Sequence, residues 1–164
     1  MAESLRTFPV PGNSSTNSIL PGYVLAGSFL YVVLDLLFQT RSLSPDLDKG
    51  LYDGAAYLAG YVVETALKAR ICKVLGIDDY PSTGPLKPTY AVHDLGQLVL
   101  LAGLKLRLGL AAAPLLANWS IAQPWTPERR YTAPGTQGEQ DSLDVLSAIR
   151  DPKDGILRWI AKFW

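Results

Sequence analysis

The sequence predicts an all-α fold of four principal helices and several short ones. Three observations carry that expectation. Apolar residues recur at spacings of three and four through most of the chain, which is the period of a helical face. The one strand-like alternation, over residues 104–110, has no second alternating segment to pair with, so it reads as a short helix. Prolines and glycines fall at the edges of the periodic segments, where helices start and stop. The 164 residues suit one domain. A chain of that size buries about 70% of the surface its unfolded form exposes, enough for a core without staples.

Residues 1–18 are rich in Pro, Gly, Ser, Thr and Asn without apolar periodicity and read as an arm; residues 19–164 form the single domain. Pro21 suits the first turn of a helix reaching about Arg41, with Leu30, Leu34 and Leu37 on one face. Ser44, Pro45 and Asp46 break it. The central helix spans about 47–75 and stops at Gly76, a natural residue for a helix end. Leu51, Ala55, Leu58, Val62, Thr65, Ala69 and Cys72 hold the alternating spacing along it. Tyr57, Tyr61, Glu64, Lys68, Ile71 and Leu75 run beside them. A helix apolar on most sides lies among other helices.

Residues 77–92, with Pro81, Gly84, Pro85 and Pro88, read as loop. Asp94 is an N-cap with Gln97 three residues on, opening a helix that ends near Gly103. Pro114 begins a helix reaching about Ala122. Residues 123–140 are mostly loop, with at most one turn at Thr126, Pro127 and Glu128. Periodicity returns from Glu139 through Leu143, Leu146 and Ile149 and continues through Ile156, Trp159, Ile160 and Phe163. Asp151 and Pro152 are either a kink or the cap of a new helix.

Composition excludes much chemistry. Fifteen basic and fifteen acidic residues cancel, so there is no broad electrostatic drive toward nucleic acid. One Cys, Cys72, rules out an internal disulfide framework, and one His, His93, rules out any two-His metal site. No cofactor or metal is expected. The densest apolar stretch, residues 19–34, falls short of the roughly 20 residues a spanning helix needs. No basic segment leads directly into it as in a secretory signal. A soluble, cytoplasmic protein with no membrane partner is therefore expected.

Few residues are chemically pointed. Glu64 and Lys68, four apart with the acid first, form the favourable helical ion pair. They read as a structural pair at a helix or subunit interface, the other reading being a charge pair facing a site. His93 beside Asp94 could be a base with its orienter, but sequence neighbours on a helix do not face each other. Cys72 sits on an apolar stripe and behaves as a small hydrophobe. Trp119, Trp125, Arg129, Arg130 and Tyr131 crowd a proline-containing turn, where aromatics and arginines can stack bases and hold phosphates. The bland alternative is that the tryptophans plug the core while the arginines cap or pair. Arg70 and Lys73 are further candidate contacts. No catalytic residue is assigned, because no paired catalytic carboxylates, phosphate loop or nucleophile elbow appear.

The run Tyr57-Leu58-Ala59-Gly60-Tyr61-Val62-Val63-Glu64-Thr65-Ala66-Leu67-Lys68-Ala69, within residues 53–72, resembles the second helix of HEPN domains (higher eukaryotes and prokaryotes nucleotide-binding). His93-Asp94-Leu95, Ala102-Gly103-Leu104, Asn118-Trp119, Trp125 to Tyr131 and Gly155 to Trp159 follow in that family's order. The resemblance covers about residues 20–164. It implies a four- to five-helix up-and-down bundle, commonly a homodimer. Many such proteins are metal-independent ribonucleases, often toxins of toxin–antitoxin or antiviral systems. These use an Arg followed four to six residues later by a His. Here the only His is His93 and the nearest upstream Arg is Arg70, so that motif is absent. The resemblance then implies the other class: a non-catalytic module working with a partner such as a minimal nucleotidyltransferase, with RNA or with a nucleotide. The alternative is a divergent ribonuclease, with Arg129 or Arg130 on the phosphate and Tyr131 or His93 on the proton.

Overall fold

A computed structural model describes residues 51–164. The arm, the helix expected over 21–41, the apolar stretch 19–34 and the start of the central helix at 47 lie outside the described residues.

Every regular element among the described residues is helical, so the all-α expectation holds there. They are α1 (Tyr52–Leu75), α2 (Lys87–Tyr90), α3 (Leu95–Leu101), α4 (Lys105–Gly109), α5 (Ala113–Ala122), α6 (Glu139–Arg150) and α7 (Ile156–Ala161). Two 3₁₀ turns, Gly84–Leu86 and Pro127–Tyr131, sit in the connections. No helix among the described residues is long and apolar enough to cross a membrane.

The central helix α1 has 24 residues and so runs about 36 Å. Its middle is buried on most sides, from Ala55 to Cys72, while Leu51, Leu58, Tyr61 and Leu75 stay exposed. Small residues allow this: Ala55, Ala59 and Ala66 let neighbouring helices approach the axis. Gly76 ends the helix in the left-handed conformation (φ 65°). There the Ile77 and Gly76 amides return to the carbonyls of Cys72 and Lys73, the pattern that satisfies a helix end. Gly103 (φ 69°) closes α3 in the same way, through Leu104 to Val99 and Gly103 to Leu100.

Helices α3, α6 and α7 and the Pro127–Tyr131 turn pack on α1, and α5 packs on α6. The core joins Val63, Leu67 and Ile71 of α1 to Leu95 and Leu98 of α3, Ile149 of α6, and Ile156 and Ile160 of α7. Ser142, fully buried on α6, donates to the Tyr52 carbonyl and pins α6 to the start of α1.

The connection 77–92 differs from the loop expected. It contains a 3₁₀ turn and the single helical turn α2, with Pro85 and Pro88 in the first turns, where a missing N–H costs nothing. The structure shows neither alternative expected at 151–152: Asp151 ends α6, and the residue that caps α7 is Gly155. The Asp151 carboxylate accepts the amides of Lys153 and Asp154 at 2.8 and 2.6 Å, so a closed turn separates α6 from α7. Those two bonds hold its carboxyl below the usual aspartate range.

Candidate functional site

The best-defined polar cluster is built around a carboxylate inside the core. Glu64 is only 1% exposed. An ionised group there needs compensation, and one oxygen, Oε1, receives two donors. Lys68 Nζ, one turn along α1, lies at 2.5 Å, and His93 Nδ1, from the residues ahead of α3, lies at 2.9 Å. The other oxygen, Oε2, is buried without a hydrogen-bond partner. Lys68 also sits 5.0 Å over the Tyr80 ring. Tyr80 donates its hydroxyl to the Tyr90 carbonyl at 2.7 Å. Burial, followed by the neighbouring Cys72, Glu64 and Tyr90, pushes the Tyr80 hydroxyl up to about 12.

The consequence for His93 is chemical. A carboxylate accepts, so Nδ1 donates toward Glu64 and Nε2 is the ring nitrogen left for other partners. The His93 side chain is 53% exposed, so Nε2 belongs to a ring that solvent reaches. A buried acid orienting an accessible imidazole is an arrangement used for proton transfer. Asp94 is not that acid. Its Oδ1 accepts the Gln97 amide at 2.7 Å and caps α3.

A second feature lies toward the start of α1. A cleft of about 540 Å³ opens between Tyr52, Asp53 and Tyr57 on one side and Arg129, Arg130 and Gln137 on the other. The Asp53 carboxylate is occupied by the backbone amides of Gly135 (2.5 Å) and Gln137 (2.7 Å), which tie the 132–137 loop to α1. Arg129 donates to Gln137 Oε1 at 2.9 Å, and Arg130 stacks on Tyr131 with 4.8 Å to the ring centroid. Glu128, on the same turn, has its carboxyl lowered first by its own backbone amide and by the Thr126 hydroxyl. The His93 and Arg130 charges add to that in the same direction. The turn therefore stands within electrostatic reach of both the cleft and His93.

The residues singled out from sequence are distributed unevenly. Arg129 and Arg130 line the cleft, and Tyr131 is largely exposed beside them. Trp125 lies in the core, 3% exposed, with Nε1 donating to the Tyr57 carbonyl at 2.9 Å and its ring against Gly60. It supports the wall behind the cleft and offers no open stacking face. Arg70 is farther along α1 and donates from Nη1 to the Phe163 carbonyl at 2.6 Å. Lys73 is exposed in the last turn. At 1.5 Å per residue these two stand about 20 Å or more along the helix from Tyr57. The structure does not bring them to the cleft. Glu64 and Lys68 are paired, as their spacing suggested. Sequence reasoning missed His93 as the second partner, and it missed Asp53 as the clasp of the 132–137 loop. The signal for the first was a carboxylate on a helix otherwise apolar at that level. Cys72 is a buried free thiol raised by burial and by Asp79. Among the described residues, no cluster of three or more His, Cys, Asp or Glu side chains is placed to hold a metal ion.

No family model, curated protein or solved structure matches the chain.

Proposed function

We propose that the chain is a HEPN-type helical module that binds the phosphates of RNA or of a nucleotide without cleaving them. In this reading it forms an up-and-down bundle, assembles as a homodimer, and works beside a partner such as a minimal nucleotidyltransferase in a toxin–antitoxin or defence setting. The observation that supports it is the cleft at the start of α1. Two guanidinium groups border it, and its carboxylate, Asp53, is already occupied by backbone amides. Arginine suits phosphate because its planar fork donates two parallel bonds, and Tyr52 and Tyr57 supply ring surface for a base. The test is to mix the purified chain with single-stranded and structured RNA in EDTA. Retarded migration of RNA that stays full length is expected; RNA that migrates freely contradicts the reading.

One observation favours a second reading, a divergent metal-independent ribonuclease. The Glu64–His93 bond supplies an oriented, solvent-accessible imidazole, the side chain most often used to move the proton in 2′-hydroxyl activation. Cleavage in EDTA that His93→Ala abolishes, with the helical circular dichroism spectrum retained, would select this reading over the first.

A further inference from the structure

The corner formed by the end of α3, α4 and the approach to α5 carries an arrangement that folding does not require. Leu104 and Leu108 point inward and are almost fully buried, which anchors α4 to the core. Two residues on from each, close to half a helical turn away, Leu106 and Leu110 point outward and are 83% and 88% exposed. They are four apart, so they share one face, and Leu100 on α3 is also exposed. An outward helix face in water is ordinarily polar. The charged residues of α4, Lys105 and Arg107, are both positive, and no Asp or Glu occurs from Leu95 through Pro127.

We propose that this corner is a peripheral docking surface for an anionic lipid membrane, with Leu106 and Leu110 entering the interface and Lys105 meeting the headgroups. Leucines exposed to this degree stand proud of the surface, as an inserting wedge must, whereas leucines lining a groove are shielded by its walls. Apolar side chains flanked by basic ones are the pattern of interfacial binding, where apolar burial and attraction to anionic lipid add. A second copy of this chain fits less well. A symmetric contact there would set Lys105 and Arg107 against themselves with no acid near in sequence to offset them. RNA would take the two cations but leave the leucines in water. Arg107 already lies 5.0 Å over the Phe163 ring, so Lys105 is the cation assigned to the headgroups.

The experiment is cosedimentation of the full chain with vesicles of mixed phosphatidylcholine and phosphatidylserine, and with phosphatidylcholine alone. Binding to the anionic vesicles that weakens with added salt is expected. Leu106→Ser with Leu110→Ser should reduce it by about tenfold or more, since each leucine's transfer from water is worth roughly a factor of ten. Lys105→Gln should reduce it less. Both changes lie on exposed positions, and unchanged thermal melts would show that the fold is kept. Absence of binding to anionic vesicles overturns the proposal. So does binding that the double leucine change leaves intact, or equal binding to neutral vesicles. A double variant whose mass by light scattering falls from dimer to monomer would assign the corner to a second copy and would equally overturn it.

Discussion

Glu64 is where sequence, packing and chemistry meet on one side chain. Its burial is tolerated because Lys68 and His93 both reach Oε1, which converts a costly buried charge into a small network. Glu64→Gln would leave the largely buried Lys68 without a counter-charge. A loss of about 3–5 kcal/mol in stability is expected, the range for breaking a buried pair from one side. Thermal or denaturant melts check this, and an unchanged midpoint would place the pair in solvent. RNA binding per folded molecule should be unaltered, since neither residue lines the cleft. Tyr80 gives a pH dependence whose sign follows from the direction of its shift. Its folded pKa of about 12 lies above the ordinary value of 10.0. Its contribution to stability is therefore complete below pH 10 and lost as pH rises toward 12. Denaturant midpoints followed from pH 9 to 12 should fall through that window, and Tyr80→Phe should flatten the fall. The same variant should be less stable at pH 7 by roughly 1 kcal/mol, because the bond to the Tyr90 carbonyl is lost.

At the scale of the element, α1 organises the rest, and one contact on it bears on where the turn Pro127–Tyr131 sits. Gly60 has no Cβ, so the Trp125 ring lies directly on the helix backbone, and an added methyl would fall inside the ring. Intrinsic helix propensity alone makes Gly60→Ala favourable by up to about 1 kcal/mol. The clash reverses that sign: Trp125 must leave its site and its bond to Tyr57, and a net destabilisation of roughly 1–3 kcal/mol is expected by chemical melts. The variant should also weaken RNA binding, because Trp125 precedes the turn that carries Arg129 and Arg130. Most described helices could be read from the sequence because their signals are local. Gly76 stops α1, Asp94 caps α3, Pro114 opens α5, and Leu146 with Ile149 marks the buried side of α6. The turn at 84–90 was not legible, since its prolines mark an irregular connection equally well as the first turn of a helix.

At the scale of the molecule, what sequence could not show is which distant residues meet. Glu64 and His93 are 29 positions apart, and Asp53 finds Gly135 and Gln137 across 82 and 84. No periodicity encodes such pairs; they follow from how α3 and the 132–137 loop dock on α1. Arg129 and Arg130 were legible as candidates because residue type and crowding pointed to them. Arg70 and Lys73 looked equivalent until the length of α1 separated them from the cleft. Leu58 and Tyr61, exposed on α1, favour association. Light scattering is expected to return about twice the 17.8 kDa of one chain, and a single-chain mass across micromolar concentrations would contradict a homodimer. If Arg129 and Arg130 hold phosphates in the cleft, the salt dependence of binding must show it. Titrating labelled single-stranded RNA onto the wild-type chain and onto Arg129→Gln with Arg130→Gln gives the slope of log K against log salt for each. Each phosphate contact on a single strand contributes about 0.7 to that slope, so the double variant should bind more weakly with a slope shallower by roughly 1.4. Equal affinities and equal slopes for the two proteins would contradict that role for the two arginines.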